Sequence, residues 1–104
     1  MVAPAPSPAG YAPAAMVASP AARFRGRVRR RGRQLLQDAI HLPELAEWLA
    51  AHAREMAILD DAALWGFADA VQAVANRVAC GEIAAEEAVV DLLARSGARR
   101  FLQP

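Results

Sequence analysis

From Gln34 to the C-terminus the apolar residues recur three and four positions apart, and no window alternates with the period of two that a half-buried strand requires. This pattern predicts an all-α domain, either a small three- to four-helix bundle or a helical hairpin. A first helical stretch is expected to begin inside the Arg run, carry Leu35, Leu36, Ala39, Ile40 and Leu42, and stop at Pro43, which offers no amide to a preceding turn. A second, over about 43–58, places Leu45, Trp48, Leu49, His52, Met56 and Leu59 on one stripe. A third, over about 62–79, is capped by Asp60 or Asp61, lines up Leu64, Phe67, Val71, Val74 and Val78, and ends at Gly81. A fourth, over about 84–96, buries Val89, Leu92 and Leu93 and is stopped by Gly97, with Ala84 as a weak cap. Phe101 and Leu102 are placed to fold back and close the core.

Charge divides the chain in two. Residues 1–37 hold seven Arg and no acid, a net +7, whereas residues 38–104 hold eleven Asp and Glu against five Arg, a net −6. The domains expected are therefore a disordered Ala/Pro-rich tail over 1–22, an Arg-rich arm over 23–37 and a small acidic helical domain over 38–104. Pro4, Pro6, Pro8, Pro13 and Pro20 deny the tail a helix and suit polyproline II. Tail and arm together, rich in Ala, Ser and Arg with no acid before Asp38, also resemble the composition of an organellar targeting segment.

The stretch RFRGRVRRRGR over 23–33 is the sharpest functional signal. Guanidinium forks match phosphate oxygens two at a time, and unbalanced charge at this density repels itself, so an arm disordered when free and ordered on an anion is expected. The residues expected to contact nucleic acid or another polyanion are Arg23, Arg25, Arg27, Arg29, Arg30, Arg31 and Arg33, with Phe24 stacking on a base. Five to seven engaged arginines would give a slope of about −4.5 to −6 in log K against log salt on duplex DNA. The competing expectation is that the arm lies on an acidic surface of its own domain or of another protein.

Little points to catalysis. His41-x-x-Glu44 and His52-x-x-Glu55 repeat eleven residues apart, but Pro43 interrupts the first pair and no further ligand cluster follows, so no metal is expected. Cys80 precedes a helix-ending glycine, where the negative end of the helix dipole disfavours a thiolate, and reads as a core or boundary thiol. Three serines without a His/Asp partnership support no nucleophile, and no cofactor or small-molecule substrate is implied. Trp65 falls off the main stripe of the third helix beside Asp69 and Gln72, which makes these three the expected partner interface. A single cysteine and the lack of an 18-residue apolar run point to a cytoplasmic protein without a membrane span. The function expected is that of a non-enzymatic accessory or regulatory binding protein, its arm on a polyanion and its helical face on a protein partner or a second copy. The alternative is an adaptor or chaperone-like subunit whose arm docks on an acidic protein.

Overall fold

The computed structural model describes residues 19–103, and these are all-helical. The elements are α1 (Pro20–Leu36), α2 (Leu42–Ala51), α3 (Ala53–Leu59), α4 (Ala62–Ala79), a 3₁₀ turn over Ala85–Glu87, α5 (Ala88–Leu93) and α6 (Ser96–Leu102). α4 is central and packs against α6, α2 and α5, while α1 lies across α2 and α6. The expected tail falls outside the described residues except for Ser19–Ala22.

The expected arm is instead the first helix of the domain. Ser19 is its N-cap, with Oγ accepting from the Ala22 amide at 3.2 Å, and Pro20 opens the helix where a missing N–H costs nothing. Phe24, Val28, Gly32 and Leu35 recur at spacings of four, four and three and are all buried. Four Arg pairs at i, i+4 (23/27, 25/29, 27/31, 29/33) oppose this helix by about 0.2–0.5 kcal/mol each. Burying Phe24, Val28 and Leu35 contributes about 1.5–3 kcal/mol each, so the apolar face outweighs the repulsion.

α1 ends earlier than the apolar pattern suggests, at a turn built on Asp38 in the left-handed conformation (φ 61°). The Asp38 amide donates to Leu35 O at 3.1 Å and the Ala39 amide to Gln34 O at 2.8 Å, which closes the helix before Ile40. Gly81 (φ 77°) ends α4 in the same way: its amide donates to Val78 O and that of Glu82 to Arg77 O. The third expected helix is therefore found over its full span.

Two other expected helices are broken, and the described residues hold six α-helices in place of three or four. The second divides at His52, whose ring Nδ1 sits 2.8 Å from Trp48 O. A carbonyl only accepts, so Nδ1 carries the proton, and the ring shares Trp48 O with the His52 amide, which still reaches it at 3.2 Å. The fourth is a 3₁₀ turn followed by α5, and Gly97 does not stop it. Gly97 sits inside α6, where a Cβ would meet Gly66 O of α4 at 3.2 Å, so its lack of a side chain permits close helix packing. α6 carries Phe101 onto Phe67, with ring centroids 4.8 Å apart. Cys80 is exposed, not a core thiol, because the buried face of α4 ends before it.

A charged cluster fastens α4 to α5. Arg77 reaches Glu82 Oε1 (Nε, 3.2 Å) and Asp91 Oδ1 (Nη1, 2.8 Å), and these carboxylates, Glu82 first, hold its guanidinium above the ordinary value.

Candidate nucleic-acid interface

Anchoring the apolar face of α1 in the core fixes where its arginines go. Arg23, Arg27, Arg30 and Arg33, at spacings of four, three and three, are exposed and share the outward side. At 1.5 Å per residue the row is about 15 Å long, roughly four base-pair steps of 3.4 Å. Arg30 and Arg33 have no ion-pair partner among the described residues. Gly26 lies on the same side with nothing within 4 Å of the position a Cβ would take, so the backbone there is open to close approach.

Arg25, Arg29 and Arg31, and Arg27 of the row, are partly committed to their own chain. Arg25 Nε lies 2.6 Å from Asp61 Oδ2, an instance of the intramolecular acidic docking that is one expectation for the arm. Arg29 Nε donates to Phe101 O at 3.2 Å and its guanidinium lies 5.1 Å from the Phe101 ring centroid. Arg31 lies 4.7 Å from the Trp48 centroid, and Arg27 lies 5.4 Å from that of Phe24. Such contacts orient a guanidinium without neutralising it.

Phe24 cannot stack on a base. It is 2% exposed and its ring is stacked on Trp48 at 5.9 Å and 14°. Pro20 reads as a helix breaker unless Ser19 is taken as a cap, and the signal for a buried Phe24 is Ser-Pro followed by Phe24, Val28 and Leu35 at helical spacing.

Trp48 and His52 approach α1 from α2. Their rings are 4.2 Å apart, and together with Arg27, Arg30, Arg31 and Gln34 they line a cleft of about 250 Å³. Sequence reasoning assigned neither residue to this side, because nothing in the order of residues says which α2 face meets the Arg helix.

Trp65, Asp69 and Gln72 lie together on α4, Trp65 being 37% exposed. They border a shallow depression of about 170 Å³ floored by Leu49, Ala50, Met56 and Ala68. Gln72 Nε2 donates to Asn76 Oδ1 at 2.9 Å. A larger apolar groove of about 620 Å³ continues from it between α2 and α4 toward Ala85 and Ala88.

The two His/Glu pairs form no shared site. Glu44 Oε1 accepts from the His41 amide at 3.2 Å, a capping role, and His52 is held by Trp48. Among the described residues no group of three or more His, Cys, Asp or Glu gathers to hold a metal ion, and no helix is long and apolar enough to cross a membrane. No protein-family model, curated protein or solved structure matches the chain. The functional reading therefore rests on its own residues.

Proposed function

We propose that the protein is a non-enzymatic binding protein whose first helix lies along a nucleic-acid backbone, while the α2–α4 side carrying Trp65, Asp69 and Gln72 meets a protein partner or a second copy. The observation that carries the reading is the outward row Arg23, Arg27, Arg30 and Arg33 on a helix locked by Phe24, Val28 and Leu35. A row of guanidiniums on one rigid face suits a regular string of phosphates and reads no base, so the binding is to backbone, without sequence preference. A bilayer surface fits less well, because an interfacial helix inserts its apolar face and here that face is already in the core. The α5 region carries Glu86, Glu87 and Asp91 and would repel phosphates, so no helix there enters a groove.

The test is affinity for a duplex oligonucleotide measured by fluorescence anisotropy for the full chain and for Arg30→Gln/Arg33→Gln. The double variant should bind more weakly by about a factor of ten or more at low salt while keeping its helical circular dichroism. Equal affinity contradicts the reading, and transfer of binding to acidic proteins alone favours the adaptor alternative.

A further inference from the structure

The cleft between α1 and α2 differs from the outward Arg row in two ways. It is a concave space of about 250 Å³ that shares Arg27 and Arg30 with the row, and two of its side chains, Arg31 and His52, are held in place before any ligand arrives. Trp48 does the holding: Arg31 lies on its ring at 4.7 Å, and His52 is fixed both by the ring at 4.2 Å and by the 2.8 Å contact of Nδ1 with Trp48 O. With Nδ1 donating to the carbonyl, Nε2 is the nitrogen left for a ligand: the neutral ring accepts there from a phosphomonoester hydroxyl, and the imidazolium donates to a phosphate oxygen. Arg27, Arg30 and Gln34 complete the lining, and no carboxylate is among the lining residues. Three guanidiniums cannot shed charge by deprotonation, so their mutual repulsion is relieved by an anion.

We propose that this cleft holds a terminal phosphate, the phosphomonoester that ends a nucleic-acid strand. The inference rests on the reading of α1 as a backbone-binding helix and adds a site to it. An internal phosphodiester carries one charge and continues on both sides, which suits the open row. A phosphomonoester carries about −1.5 to −2 at neutral pH and offers three terminal oxygens, which suits several converging donors in a recess of about 250 Å³.

The experiment uses the full chain and one duplex oligonucleotide sequence, labelled internally, with its ends in three forms: 5′-phosphate, 3′-phosphate and hydroxyl throughout. Anisotropy should show one phosphorylated form binding about tenfold tighter than the hydroxyl form, the size expected of added charge-assisted bonds. His52→Gln and Gln34→Ala should each bring that ratio toward one without weakening the hydroxyl form, whereas Arg33→Gln should weaken all three alike. Equal affinity for the three forms overturns the terminal site and leaves the α1 reading standing. A ratio that persists in both cleft variants overturns the assignment to this cleft, and failure of every form to bind overturns both.

Discussion

Arg25 Nε lies 2.6 Å from Asp61 Oδ2, while Asp61 Oδ1 accepts from the Ala63 and Leu64 amides at 2.9 and 3.3 Å. One carboxylate thus caps α4 and ties it to α1. Cap loss costs about 0.5–2 kcal/mol, whereas a partly exposed ion pair is worth about 0–1. Asp61→Ala should therefore destabilise most, and Asp61→Asn, which keeps a capping oxygen, should behave like Arg25→Gln. Urea unfolding checks the order; Asp61→Asn as damaging as Asp61→Ala would mean the charge, not the cap, dominates.

Two glycines on α1 should respond to alanine with opposite signs. A Cβ at Gly26 meets nothing, so Gly26→Ala should stabilise by about 0.5–1 kcal/mol through helix propensity. A Cβ at Gly32 runs into the Leu102 side chain and comes within 3.3 Å of Phe67 Cζ, both buried, so an overpacking cost of about 1–3 kcal/mol opposes the same propensity gain and Gly32→Ala should be destabilising on balance. Thermal melting of the two variants decides; equal effects would mean that α1 does not pack on α6 as described.

The core was legible from the α2 and α4 stripes because Leu45, Leu49, Leu64, Phe67, Val71 and Val74 repeat at helical spacing without interruption. Of α1 only the end through Leu35 was, since seven arginines within eleven positions mask Phe24 and Val28 and charge density reads as disorder. The break at His52, which no glycine or proline marks, was not. Gly97 reads as a terminator unless its contact with Gly66, thirty-one positions away, is known. Of the site, the arginines were visible in the sequence; which of them point outward was decided by packing.

Ala84 is the N-cap of the turn leading into α5 and supplies no side-chain acceptor, although Glu87 Oε1 accepts from its amide at 3.2 Å. Its extended backbone (φ −76°, ψ 152°) is already that of a capping residue. Ala84→Ser should stabilise by about 1 kcal/mol, seen as a raised melting temperature. No gain would place the start of the helix elsewhere.

In Trp48→Phe, Trp65 is the remaining tryptophan. At 37% exposure its emission should be that of a partly solvated indole and should be quenched by iodide. Raising the protein concentration, or adding a partner that uses the Trp65 face, should shift the emission to shorter wavelength. Emission already fully buried in the dilute protein would remove Trp65 from the interface.

The central claim is that α1 presents four arginines to a phosphate backbone from a fixed helix. It is tested most directly by the affinity for duplex DNA between about 50 and 200 mM salt, where the slope is about −0.9 per phosphate neutralised. With Arg23, Arg27, Arg30 and Arg33 engaged, the slope should be about −3.6, falling toward −1.8 in Arg30→Gln/Arg33→Gln. An affinity that does not change with salt, or a slope untouched by the double substitution, would contradict it.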